Sequence, residues 1–195
     1  MGDSDQLLTS EPVPWPIHTD RLTLRPAASS DASAVRSYRR LPEVSRWIGA
    51  DPSDADWPEY FEKRLARTLV IEKDHRVIGD LMLSSRDGWA QLEVADQAKS
   101  TEAELGWTLD PAFSGQGYAT EAVRELIRIC FVDLGLRRIT ANCFADNQPS
   151  WRLMERLGMR RELASKRDSL HRELGWLDGY GYALLADEWR ARLEQ

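Results

Sequence analysis

Apolar and polar residues alternate along Asp20–Pro26, with Leu22 and Leu24 set against Arg21, Thr23 and Arg25. That period of two predicts a half-buried strand, and Pro26 ends it. The period then lengthens. Ala32, Val35 and Tyr38 follow the capping run Ser29-Ser30-Asp31 at helical spacing. Val44 and Trp47 after Pro42 predict a second short helix. Trp57, Tyr60, Phe61, Arg64 and Leu65 predict an amphipathic third, with Pro58 in its first turn. Strands return at Leu69–Glu72 and Arg76–Leu83, paired as a hairpin across Lys73-Asp74-His75. A polar connection from Ser84 to Ser100 holds Trp89 and a candidate short strand at Gln91–Val94. Ala103–Leu109 reads as a strand and Tyr118–Asp133 as a long helix. The helix carries the apolar stripe Ala119, Val123, Leu126, Ile127, Cys130, Phe131 and Leu134, and Gly135 caps it. A strand at Arg138–Phe144 follows, then a helix from Asn147 to Leu157 that Gly158 stops. Closing strands are expected around Glu162–Ala164 and Arg172–Ala183, then a short final helix.

This order predicts an α+β fold: a mixed, mostly antiparallel sheet with a central parallel βαβ crossover of right-handed sense. A chain of 195 residues is the size of one domain. It is read as residues 18–195, preceded by a flexible tail, residues 1–17, in which Pro12, Pro14 and Pro16 favour extended backbone.

Composition narrows the partners. A net charge of −6 argues against a general nucleic-acid binder. No apolar run approaches the ~18 residues of a membrane span, and no secretory leader pattern opens the chain. Cys130 and Cys143 lie in apolar settings without a CxxC pair, and are read as buried thiols in a reducing, cytoplasmic setting. His18, His75 and His171 show no metal-ligand spacing, so no metal is expected. His75 fits the hairpin turn, and His171 is read as a surface residue. A homodimer through an aromatic patch near Trp89 is compatible with the sequence.

The chemistry concentrates between Glu102 and Leu134. Ser114-Gly115-Gln116-Gly117-Tyr118-Ala119-Thr120 hands a strand over to a helix through two glycines. Glycine allows positive φ and close backbone approach, and the helix start offers unpaired N–H groups to an anion. Gly115-Gln116-Gly117 also begins the dinucleotide pattern GxGxxG. Thr120 replaces its third glycine, and no ribose-binding acid follows at the expected distance. A dinucleotide-dependent oxidoreductase is therefore the weaker alternative. No GxxxxGK[ST] is present.

Three stretches carry a family resemblance. Phe113–Ala122 resembles the acyl-CoA pyrophosphate loop of the GCN5-related N-acetyltransferases (GNAT). Asn147–Met159 is similar to the second half of their CoA site. Thr19–Pro26, with the closing Trp176-Leu177-Asp178, Tyr182 and Ala183, resembles the RimJ/RimL-like branch. The resemblance implies acetyl-CoA as co-substrate and direct transfer of an acetyl group to a primary amine, on a protein N-terminus or a small molecule, in a ternary complex. It implies a pyrophosphate cradle of Gly115, Gln116, Gly117, Tyr118, Ala119 and Thr120. The thioester would lie along Trp107, Thr108 and Leu109, and Asn147 and Ser150 would meet the pantetheine arm. Glu104 is the candidate base or water relay, on one strand face with Glu102, Gly106 and Thr108. Ser150 is the candidate donor to the leaving thiolate, or else only a helix cap. Asp178 and Glu173 are secondary acceptor-site carboxylates. Trp47, Trp57, Tyr60, Trp89 and Trp176 are candidate acceptor-site walls. Two positions depart from the family: Ser114 where the loop usually starts with Gln or Arg, and Met154 where many members carry a tyrosine acid. A non-catalytic acyl-CoA-binding module is the second alternative.

Overall fold

The computed structural model describes residues 13–193. Eight strands form one sheet in the order β1-β2-β3-β4-β5-β6-β8-β7. They are β1 (Ile17–His18), β2 (Thr23–Pro26), β3 (Thr68–Lys73), β4 (Arg76–Arg86), β5 (Glu102–Leu109), β6 (Arg138–Phe144), β7 (Arg160–His171) and β8 (Gly175–Leu185). All neighbours pair antiparallel except β5 and β6, the parallel pair joined through α4 (Tyr118–Arg128). Helices α1 (Ala32–Arg39), α2 (Pro42–Ser45) and α3 (Trp57–Glu62) lie between β2 and β3. Helix α5 (Gln148–Arg156) joins β6 to β7, and α6 (Ala186–Leu193) follows β8. This is the α+β fold with a central parallel crossover that the sequence predicts.

Alternation along each strand divides the side chains between two apolar layers. Leu69, Ile71, Leu81, Leu83, Ala103 and Leu105 pack with Ala122, Val123, Leu126 and Ile127 of α4. Val70, between Leu69 and Ile71, points the other way and joins Val35 and Tyr38 of α1 and Trp57 and Phe61 of α3. Each fully buried Leu or Ile here contributes about 1.5–3 kcal/mol. On β5 the same alternation turns Glu104, Gly106 and Thr108 away from α4. Their register partners on β4 are Ser84, Met82 and Asp80.

Several boundaries differ from the sequence reading. The regular helix α4 stops at Arg128 and widens into a π turn over Ile129–Asp133. There the Leu134 N–H reaches back to the Ile129 carbonyl at 2.9 Å. The Arg128 guanidinium forks onto the Asp133 carboxylate at 3.1 and 2.8 Å, across the same five-residue step. The expected strand at Gln91–Val94 is absent. A 3₁₀ segment, Leu92–Ala98, replaces it, and Trp89 and Leu92 stand 93% and 89% exposed, because no strand edge lies there to pair with. Strand β7 is much longer than expected. Two register shifts against β8 break its alternation, which hid it in the sequence. Of the expected tail, residues 1–12 lie outside the described residues. Val13 is buried, Trp15 packs on the core, and Ile17 pairs with Leu24.

Candidate active site

The site begins where β5 and β6 part. They pair only from Glu102–Arg138 to Glu104–Thr140. Beyond that, β5 stays with β4 as far as Leu109–Gly79, and β6 stays with β8 as far as Phe144–Gly179. The two strands diverge, and a cleft of about 1050 Å³ opens between them. One edge of β5 from Leu105 to Leu109 is left without a strand partner there, so its peptide groups can pair with an extended, amide-bearing chain. Trp107, Thr108 and Leu109 line this stretch of the cleft, as do Asn147 and Ser150 across it.

The glycine turn closes one end. Asp110 sets its entry: its carboxylate accepts from the Ala112 N–H at 3.0 Å and from Arg76 at 3.0 Å. Gly115 and Gly117 then take φ of +76° and +84°, which other residues adopt only under strain. A Cβ on Gly115 would meet nothing within 4 Å, so that side of the turn is open. The Glu121 N–H is the first in α4 to find a helical acceptor, the Gly117 carbonyl at 3.0 Å. The N–H groups just before it, on Tyr118, Ala119 and Thr120, sit at the positive end of the helix dipole. This is a cradle suited to a diphosphate. Gly115, Gly117, Tyr118, Ala119 and Thr120 all line the cleft. Gln116 does not; its carbonyl instead accepts from Arg21 Nη1 at 3.0 Å.

Arg21 buttresses the turn from behind, a role the sequence reading missed. Its guanidinium lies 4.6 Å over the Tyr118 ring and pairs with Glu121 at 2.6 Å. Thr19 Oγ1 and the Arg21 N–H also donate to Glu121, at 2.6 and 2.9 Å. Burial pushes the Glu121 carboxyl up, but the hydrogen bonds from Thr19 and Arg21 outweigh it and hold it below its ordinary value.

Glu104 on β5 and Ser150 in the first turn of α5, which follows β6, line the same cleft. Glu104 pairs with Arg86, and Asn142 Nδ2 approaches its other oxygen at 3.5 Å. The Asn147 carboxamide accepts from the Ser150 N–H at 3.4 Å, so Asn147 caps α5 and leaves the Ser150 hydroxyl for other partners. Burial pushes the Cys143 thiol up to about 11, against the opposing effect of the neighbouring Ser150. Cys143 is only half-buried and lines the cleft, unlike the fully buried thiol expected; Cys130 is buried as expected. Met154 is 1% exposed and packs in the core.

The far wall comes from α1 to α3. Trp47 and Tyr60 line the cleft. Trp57 does not: it is buried in the second core and donates to the Ala32 carbonyl at 2.7 Å. Trp89 stands in solvent, and Trp176 lines a separate shallow surface pocket with Arg167. Asp178 pairs with Lys166 outside the cleft, and Glu173 sits in the turn before β8. His171 is not a surface residue. It is 3% exposed, and its Nδ1 accepts from the Glu173 and Leu174 N–H groups at 3.1 and 3.2 Å. Nε2 therefore carries the proton and donates to the Arg46 carbonyl at 2.8 Å. Beneath this wall lies a buried network. Arg39 forks onto Asp80 at 3.0 and 2.6 Å, Tyr38 donates to Asp80 at 2.8 Å, and Arg39 reaches Thr108 Oγ1 at 3.3 Å. An acid inside the apolar run Val77–Leu83 was the one sequence signal for it.

Known proteins resemble most of the chain. Residues 21–160 match the family model of the acetyltransferase (GNAT) domain. The uncharacterized N-acetyltransferase YnaD of Bacillus subtilis is 40% identical over 89% of this chain and 98% of its own length. A GNAT-family acetyltransferase from Bacillus anthracis superposes with a TM-score of 0.75 at 28% identity, covering 89% of this chain and 99% of that one. RimJ of Mycobacterium smegmatis, solved in complex with CoA-disulfide, gives a TM-score of 0.68 at 26% identity, over 86% and 83% of the two chains.

Proposed function

The chain belongs to the GNAT acetyltransferase family, and from that premise we propose that residues 18–195 form one acetyl-CoA-dependent N-acetyltransferase of the RimJ/RimL-like branch, acting on a primary amine by direct attack in a ternary complex. The observation that carries this is the fork of β5 from β6 ending at the glycine turn. The residues fit acetyl-CoA. The N–H groups of Gly115–Thr120 suit its pyrophosphate. The open edge of β5 and the Asn147 region suit its peptide-like pantetheine arm, which brings an activated thioester to Trp107–Leu109.

The N–H groups of that edge polarise the thioester carbonyl. Glu104 takes the proton that the incoming ammonium must lose, directly or through a water, and Arg86 and Asn142 fix its carboxylate. The neutral amine nitrogen bonds to the carbonyl carbon, the carbon–sulfur bond breaks, and the thiolate leaves with a hydrogen bond from Ser150. Weak acid help suffices, since a thiol is already a modest acid. At the position where the family resemblance implies a tyrosine acid, Met154 has no proton to give, which leaves this task to Ser150. The two free cysteines and the acyl-CoA co-substrate suit a cytoplasmic setting.

Thiol release from acetyl-CoA, measured with a panel of amines and N-terminal peptides, tests the reading. Acetyl-CoA is expected to raise the melting temperature and to turn over. Glu104→Gln is expected to lower kcat about 100-fold with acetyl-CoA affinity unchanged. Tight binding without turnover on any acceptor favours a binding module, and no binding ends the proposal.

A further inference from the structure

We propose that the acceptor amine carries a carboxylate close to its nitrogen, as a free α-amino acid does, and that Arg64 seats that carboxylate; this deepens the acetyltransferase reading and rests on it. Arg64 follows α3 and points into the cleft. Its guanidinium lies 5.1 Å from the centre of the Tyr60 ring, with Nη2 3.7 Å from Met82 Sδ. Among the described residues, no carboxylate lies within ion-pair distance of it. The neighbouring cleft arginine, Arg39, is bidentate on Asp80. Burial lowers the Arg64 pKa from its ordinary value; Tyr60 and Asp80 oppose the shift, and the charges of Arg67 and Arg39 add to it. A half-buried guanidinium with no carboxylate partner leaves N–H groups facing the cleft, and an incoming carboxylate can fill its fork with two charge-assisted hydrogen bonds.

The position of that cation relative to Glu104 sets the kind of anion. Met82, on which Arg64 rests, is the register partner of Gly106 on β5. Gly106 leaves the strip above the strand open: a Cβ there would meet only Met82, at 3.4 and 3.6 Å. Glu104 is two residues back on the same face, about 6.5–7 Å along the strand. A carboxylate and an unpaired guanidinium thus flank the open strip over Gly106. A zwitterion with adjacent groups matches both, its ammonium towards Glu104 and its carboxylate towards Arg64. A peptide N-terminus presents a neutral amide where the carboxylate would sit and leaves the Arg64 charge unanswered.

The test is steady-state transfer from acetyl-CoA to matched acceptors: free L-amino acids, their amides, and tripeptides with free N-termini. The wild-type chain is expected to prefer acids to amides by about 10- to 100-fold in kcat/KM, the range that one charged hydrogen-bond pair supplies. Arg64→Met should bring that ratio close to one with acetyl-CoA affinity unchanged, and Arg64→Lys should restore part of it. Equal use of acids and amides by the wild-type chain overturns the proposal, as does an acid preference undiminished in Arg64→Met. If Arg64→Met does not fold, the wild-type ratio and Arg64→Lys decide in its place. Acetyl-CoA bound but no free amino acid acetylated sinks this proposal and leaves the family reading standing. No acetyl-CoA binding sinks both.

Discussion

The two ends of the cleft are built from different materials. At the glycine turn the groups proposed to bind are main-chain N–H groups, and the side chains nearby, Arg21 and Glu121, brace the turn. At the opposite wall the polar groups are side chains: Tyr38 and Arg39 of α1, Asp80 of β4 and Thr108 of β5 join in one network, and Arg64 after α3 rests beside it on Tyr60 and Met82. A backbone site needs only a conformation, so a short local motif can specify it. A side-chain site needs several distant residues to arrive together, so stability and specificity are tied to the same atoms.

The largest test of that contrast strikes the side-chain wall. Arg39→Met leaves the Asp80 carboxylate buried at 2% exposure without its cation. Breaking a buried pair in this way is expected to cost about 3–5 kcal/mol, read as a fall in the urea midpoint. Tyr38 still donates to Asp80, but burial and the Asp80 charge both push its hydroxyl pKa far up, so it remains a neutral partner. A loss under about 1 kcal/mol would mean that the network is not what anchors α1 to the sheet. Gly117→Glu strikes the other end. The φ of +84° strains any side chain there, Arg21 Nη2 lies 3.4 Å from the new Cβ, and the added charge repels a diphosphate. Acetyl-CoA affinity is expected to fall at least about 100-fold, near 2.7 kcal/mol, while the urea midpoint moves less than in Arg39→Met. Normal binding by this variant would remove the turn from the site.

The same contrast explains what the sequence could tell. Gly115, Gly117 and the stripe on α4 are local signals, and they led to the fold and to the left-handed turn ahead of α4. The crossing of β5 and β6 followed from element order, but their fork did not, because parting strands leave no periodicity behind. Arg64 looked like one more polar residue on an amphipathic helix; only the register of Met82 with Gly106 puts its charge beside the open strip. Trp57 and Trp89 show the limit from the other side. Both are aromatic and near the right elements, yet one is core and the other is in solvent, since composition does not encode direction. His171 misled for the same reason: its two backbone donors and the Arg46 carbonyl come from a turn and from a helix end over a hundred residues away.

The smallest effect concerns the clamp behind the turn, where backbone and side chain meet. Glu121 has its folded-state pKa held below its unfolded value by Thr19 and Arg21, against the opposing effect of burial. A depressed acid contributes stability that is complete above its unfolded pKa of about 4.3, and loses it as pH falls through the lower folded value. Arg21 is 46% exposed, so solvent screens the pair and its contribution is expected to stay under about 1 kcal/mol. Glu121→Gln removes the charge at every pH. The stability gap between the wild-type chain and this variant should therefore be constant from about pH 8 to pH 5 and close as the pH drops below about 4. Melting temperatures recorded in parallel across that range measure the gap directly. A gap that stays constant into acid would mean that the Glu121 charge does nothing for the turn, and that Tyr118 stacking under Arg21 holds it instead.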